Sequence, residues 1–433
     1  MKSVFVRWVA ITVAVVIGGL AYGSAQASAP RLPQYLVVNL GNPNGGIPNN
    51  GEISQGSSIT NSGWIAGFAT EPNGVFHAEA WVYGFPLDLG TLGGPSQPAL
   101  NSAVAWPNRN EHGVVAGISE TAAVNPLNEN WSCSQAVFNN AIPNGVGQHV
   151  CLGFVWQNGA MSALPTLGGY DGFATGINNH DQIVGWAENT IHDRTCSNAN
   201  GQSPGGQVLQ FEAVKWSNEN GHYVAEELPP YGNDQDGSAT AINEEGQVVG
   251  ISGLCGGAIG GETAEHMVMW QDDHVVQKLP GLGGSYWNTP MDINNRGDVV
   301  GFADLPGDGV GNPSFQPFYW SQRAFVCQQG QRPKAGICNL TPGVTGFSGE
   351  ALGVNDRDQV VGVSFVTGHA FIWQDGFMTD LNTCVASGSA NLVLTDAQEI
   401  NDVGVITGQA SDPATGTLVA FVAIPVGGTC PTN

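Results

Sequence analysis

The chain has 433 residues and a formal net charge of −24, yet only 11% of its residues are charged. A surface this acidic repels nucleic acid and anionic membranes, which excludes a DNA- or RNA-binding role. Gly is abundant at 62 residues, and short β-branched runs between Gly, Asn and Pro turns indicate an all-β protein.

The first residues carry a basic start at Lys2 and Arg7, an apolar run from Trp8 to Ala21, and Ala25-Gln26-Ala27 as a small-residue cleavage site. This predicts a signal peptide over residues 1–27 and a secreted protein, extracellular or periplasmic. No later run reaches membrane length, so no span is expected in the mature chain. Losing Lys2 and Arg7 takes the 12 basic residues to 10 against 36 acidic ones, a net −26. All eight cysteines follow the leader, where an oxidising compartment favours disulfides. Local pairing suggests Cys133–Cys151, Cys196–Cys255, Cys327–Cys338 and Cys384–Cys430, a connectivity that sequence leaves open. The absence of any C-x-x-C pair makes zinc the lesser reading.

From Ile59 onward one sentence recurs. Its signature is an apolar residue, Asn, two residues, Gly or Asp, then x-V-V-G. It reads INNHDQIVG (Ile177–Gly185), INEEGQVVG (Ile242–Gly250), INNRGDVVG (Ile293–Gly301), VNDRDQVVG (Val354–Gly362) and INDVGVITG (Ile400–Gly408). ITNSGWIAG (Ile59–Gly67) and RNEHGVVAG (Arg109–Gly117) are looser copies, which makes seven. The Asn-x-x-Gly core suits a tight hairpin, with Asn supporting the turn and Gly taking φ > 0. Six copies are followed by a Trp (Trp81, Trp156, Trp216, Trp270, Trp320, Trp373), and the seventh has Ala423. A strand ending in Leu comes next (Leu89, Leu164, Leu228, Leu279, Leu340, Leu381), then a loop such as LPTLGG.

Each unit therefore offers four short strands at about the period of a propeller blade. The last unit stops after AFVAIPV, and the N-terminus supplies a spare strand, YLVVNLG (Tyr35–Gly41). The expected fold is a seven-bladed β-propeller of residues 28–433, closed by the N-terminal strand, with Trp as filler between blades. A parallel β-solenoid is the alternative.

Differences among the copies point to function. If the first strand is innermost, the Leu-to-Gly-Gly crossovers and the connections after V-V-G share one face. The crossovers carry Tyr170, Tyr231, Tyr286, Trp287 and Phe347, rings that suit stacking on sugars or gripping a peptide and equally suit packing on neighbouring loops. Asp234 and Asp236 in one loop, and Asp304 and Asp308 in another, read first as solvated turns, with Ca²⁺ ligation as the alternative. Otherwise no cofactor is expected. His77, His266 and His369 each stand four residues before Trp, in units too far apart on a ring to share a metal, and read as residues on the blade surface. No catalytic motif occurs, and no pair of carboxylates is fixed at a glycosidase separation.

These linked motifs resemble the bacterial HAF-repeat family of extracellular proteins. His369-Ala370-Phe371 is a full copy of its name-giving triplet and His77-Ala78 a partial one. The resemblance covers nearly all of the mature chain. It implies secretion and a repeat architecture, and it implies no reaction. The expected function is binding of an extracellular glycan or protein through the loop face, by a monomer. The alternatives are a polysaccharide lyase or glycoside hydrolase using loop carboxylates, and a structural surface component.

Overall fold

The computed structural model describes residues 31–43, 53–97, 99–129, 149–196, 206–255, 263–309, 314–341, 344 and 346–431. The expected leader (1–27) and Cys133 lie outside them, so the expected Cys133–Cys151 pairing does too. Seven four-stranded antiparallel sheets form a ring, a seven-bladed β-propeller. Blades 1 to 6 occupy residues 54–90, 102–163, 172–228, 236–279, 288–339 and 349–380, each with its strands in chain order. Blade 7 is built from Val393–Ile400, Ile406–Asp412 and Thr417–Val426, and its outer strand is the N-terminal Gln34–Gly41. The two ends of the chain therefore share one sheet, and no blade is left with a missing strand. No helix among the described residues is long and apolar enough to cross a membrane.

The repeated residues have repeated jobs. All six Trp are buried, and each lies against the blade before it. Trp216 of blade 3, for example, shares a cluster with Val114, Ala116, Val155 and Leu164 of blade 2. Trp270 of blade 4 does the same with Val184, Ala213 and Leu228 of blade 3. In blade 7, where Ala423 replaces the Trp, the N-terminal strand brings Tyr35, fully buried in the same cluster. The Gly closing each V-V-G packs flat on the innermost strand. A Cβ at Gly185 would sit inside van der Waals contact of Phe173 O, and one at Gly250 inside that of Ser238 O. Most innermost strands carry a register shift at this level.

The Asn of the signature does more than hold its turn. Asn178 Oδ1 accepts the N–H groups of His180 and Gln182 within the hairpin, as the sequence predicts. Its Nδ2 donates across the blade boundary to Asn243 O (3.1 Å). Asn243 donates in turn to Asn294 O, Asn294 to Asn355 O, Asn355 to Asn401 O, and Asn401 to Thr60 O. Asn110 donates to Asn178 O. The residue after each Asn, and Asn61 after Thr60 in blade 1, adds a second belt. Backbone N–H groups run 61→111→179→244→295→356→402→61, each to the side chain of the next blade's Asn, Asp or Glu. At ~0.5–1.5 kcal/mol net per bond, these belts are a sizeable part of what locks blade to blade.

Three of the predicted disulfides are formed, Cys196–Cys255, Cys327–Cys338 and Cys384–Cys430. Cys327–Cys338 closes the extended turn between the third and fourth strands of blade 5. Cys384–Cys430 ties the chain leaving blade 6 to the C-terminal tail, beside the N-terminal strand: Cys430 N–H donates to Leu32 O at 2.8 Å.

Candidate functional site

The crossover face has a recurring device that the sequence motifs did not reveal. Two or three residues past the Gly of V-V-G, a buried side chain takes the backbone N–H groups of the crossover entering the same blade. Thr70 accepts from Ile53 (3.1 Å) and Glu120 from Asn101 (2.7 Å). Glu188 Oε2 accepts from Tyr170 (3.0 Å) and Asp171 (2.9 Å). Ser252 Oγ accepts from Tyr231 (2.9 Å), and Asp304 from Tyr286 (3.3 Å) and Trp287 (3.2 Å). Thus four of the five predicted rings have their own N–H clamped by a side chain in or just past the second strand. Phe347 instead donates to Val344 O within a turn.

The rings sit at the entries of blades 3, 4, 5 and 6, and their surroundings differ. Tyr170 is 41% exposed. Tyr231 is half-buried, edge-on to His266 (5.0 Å), with Lys278 Nζ 5.2 Å over its ring. Trp287 is half-buried and edge-on to Phe315 (5.4 Å), which leans on Phe302. Tyr286 and Phe347 are half-buried as well.

The four predicted acidic ligands do not converge, and two of them correct the expectation of solvated turns. Asp304 is fully buried because it caps the crossover. Asp236 is fully buried beside the Cys196–Cys255 disulfide. Burial, with a hydrogen bond to Asp193, pushes its carboxyl up to about 10, so it is protonated at neutral pH. Asp234 accepts from Ser252 Oγ and pairs with His266 (2.8 Å), and Asp308 accepts from Leu305 and Ser314 N–H.

The histidines are also resolved into local pairs. His77 meets Asp88 at 3.1 Å and His369 meets Asp380 at 2.7 Å, the Asp lying on or next to the adjacent outer strand. This explains why the His of H-A-F and the Asp of D-L occur together. His77 corrects the expectation of a surface position: it is 8% exposed. Its burial lowers the imidazole pKa, but Asp88 and Glu71 outweigh that and raise it overall.

The opposite mouth of the channel is closed by Arg109. Six blades have Ile or Val at this first motif position, and blade 2 has Arg. Its guanidinium crosses the ring to Asp292 of blade 5, Glu399 of blade 7 (2.6 Å), Val354 O (2.7 Å) and Ile293 O (3.2 Å). Burial raises the carboxyls of both Asp292 and Glu399, against the opposing pull of Arg109, and Glu399 reaches about 8. On neighbouring innermost strands Glu350 and Asp396 rise to about 7 and about 6 through burial, and the charge of Asp396 adds to the rise at Glu350. A small polar pocket opens over Arg109, lined by Glu111, Asn179, Glu244, Asn295 and Asp402. Those side chains already serve the inter-blade belt.

No family model matches the chain, and no curated protein matches it either. Solved structures do. The β-propeller domain of Cps50 (Swd1) from Myceliophteria thermophila is 10% identical, with 88% of this chain and 99% of that one covered and a TM-score of 0.40. An ulvan lyase described as a new family of polysaccharide lyase is 10% identical, covering 93% and 97%, with a TM-score of 0.36. A GH93 α-L-arabinofuranosidase of Fusarium graminearum is 9% identical, covering 90% and 97%, with a TM-score of 0.32. At this distance nothing about activity passes to this chain.

Proposed function

We propose that this chain is a secreted binding protein that holds an extracellular glycan on its crossover face, with a protein surface as the second ligand class to test. The observation that carries the reading is the clamping of Tyr170, Tyr231, Tyr286 and Trp287 through their own N–H groups at equivalent positions of three successive blades. A crossover backbone held this way loses little entropy on binding, which favours presenting its rings to sugar faces. Three disulfides among the described residues fit an oxidising compartment. A lyase or hydrolase would need carboxylates free to meet substrate. Asp236 and Asp304 are buried and bonded within the protein, which favours binding over turnover.

The test is a broad glycan array probed with the chain from Ser28 onward. Tyr170→Ala is the informative variant, because the ring is exposed and its loss leaves the clamp intact. Binding that falls tenfold or more with the melting temperature unchanged supports the reading. A blank array sinks the glycan reading.

A further inference from the structure

Above blade 3 a different set of acids converges. Glu129 ends the described part of the long blade-2 connection, Asp171 enters blade 3, and Glu188 lies within its second strand. All three are fully buried, and a carboxylate oxygen from each lies within 4.8 Å of the others. Glu129 and Glu188 accept their hydrogen bonds from neutral groups. Val208 and Leu209 N–H donate to Glu129 Oε1, and Asn125 Nδ2 to Glu129 Oε2 and Asp171 Oδ2. Cys151 N–H donates to Asp171 Oδ1, and the Tyr170 and Asp171 N–H groups to Glu188 Oε2. Among the described residues neither Glu129 nor Glu188 forms an ion pair. Residues 130–148 and 197–205, which adjoin the cluster in sequence, contain no Lys, Arg or His.

A second observation is independent of the charges. Gln207 is 6% exposed, and its Nε2 donates to Glu188 Oε1 (2.7 Å) and Leu209 O (2.8 Å). This places the amide against the cluster, and its Oε1 has no hydrogen-bond partner. A buried amide oxygen without a donor is costly, and so is crowding the Glu129 and Glu188 carboxylates together with no ion pair among the described residues.

We propose that Glu129, Asp171, Glu188 and Gln207 Oε1 form a Ca²⁺ site that pins the blade-2 and blade-3 connections to the crossover carrying Tyr170. The donors are all hard oxygens, which suits Ca²⁺ and excludes a zinc-type set. Two oxygens on one Ca²⁺ at ~2.3–2.6 Å lie up to ~5 Å apart, the spacing found, whereas Mg²⁺ at ~2.0–2.1 Å wants a tighter shell. This site is separate from the Asp234, Asp236, Asp304 and Asp308 set and does not rest on the glycan reading.

The chain from Ser28, stripped with EDTA, is titrated with Ca²⁺ by calorimetry and melted with and without the ion. One Ca²⁺ per chain is expected, with a saturable rise in melting temperature and a much weaker response to Mg²⁺. Glu129→Gln distinguishes a cation site from mere crowding. In EDTA the variant melts at or above the parent, since a like charge has gone; in Ca²⁺ it melts below the parent and binds at least tenfold more weakly. Gln207→Met, which lacks the amide oxygen, shows the same weakening and serves if Glu129→Gln does not fold. Asp308→Asn binds as the parent does. Absence of binding heat, or binding that survives Glu129→Gln or Gln207→Met unchanged, overturns the proposal.

Discussion

Replacing Arg109 by Ile, the residue most other blades carry at that position, tests whether the channel bolt holds the ring. Burial raises the carboxyls of both Asp292 and Glu399, and Arg109 opposes that rise. Without the guanidinium the buried pair has no countercharge, and Asp292 takes a proton. Forcing a proton onto a group with an ordinary value of 3.8 costs ~4 kcal/mol at pH 7 and ~1.5 kcal/mol at pH 5, at 1.36 kcal/mol per unit. The two lost carbonyl bonds add ~2 kcal/mol, which the buried Ile side chain roughly offsets. The expected loss is therefore about 4 kcal/mol at pH 7, within the range for breaking a buried ion pair. Spread over roughly 400 residues, that is a drop of about 5 °C in melting temperature. Urea unfolding with disulfides intact, run at pH 5 and pH 7, measures it. Glu399→Gln added to Arg109→Ile should recover about half. A loss below ~1 kcal/mol at pH 7, or one equal at the two pH values, refutes this account of the bolt.

Gly185→Ala should cost ~2–3 kcal/mol or more, because the new Cβ meets the Phe173 carbonyl in a strand that cannot retreat; urea titration reads it, and a neutral result would mean that the inner strand shifts. Asn178→Ala removes two turn bonds and leaves Asn243 O without its inter-blade donor, an expected loss of ~1–3 kcal/mol by the same assay. His77 has a folded pKa above its ordinary 6.5, so its pairing stabilises fully below about pH 6.5 and fades as pH rises through the folded value. His77→Gln should accordingly lower stability at pH 6 and leave it little changed at pH 8; an equal loss at both would assign the effect to packing instead.

Part of the site could be read from residues and part could not. Tyr170, Tyr231, Tyr286 and Trp287 were visible as aromatics in crossovers, but their clamping was not, since Glu188, Ser252 and Asp304 belong to a different motif. The one available signal was an acid or hydroxyl two or three places past V-V-G, recurring as Thr70, Glu120, Glu188, Ser252 and Asp304. Asp236 and Asp304 were misread as solvated turns because loop sequence records polarity and not depth.

The sequence by itself determined the blade count, the four strands per blade, the borrowed N-terminal strand and the Trp filler. These are set by features repeated within one unit or between neighbours in the chain, where spacing of apolar, Gly and Asn residues carries the geometry. Tertiary structure alone decided what Arg109 bonds, since its partners lie 183 to 290 residues away across a closed ring. It also decided that the signature Asn reaches into the next blade, and that Glu129, Asp171, Glu188 and Gln207 meet. Such contacts depend on how the ring closes and how its long connections fold back, and local periodicity does not encode either.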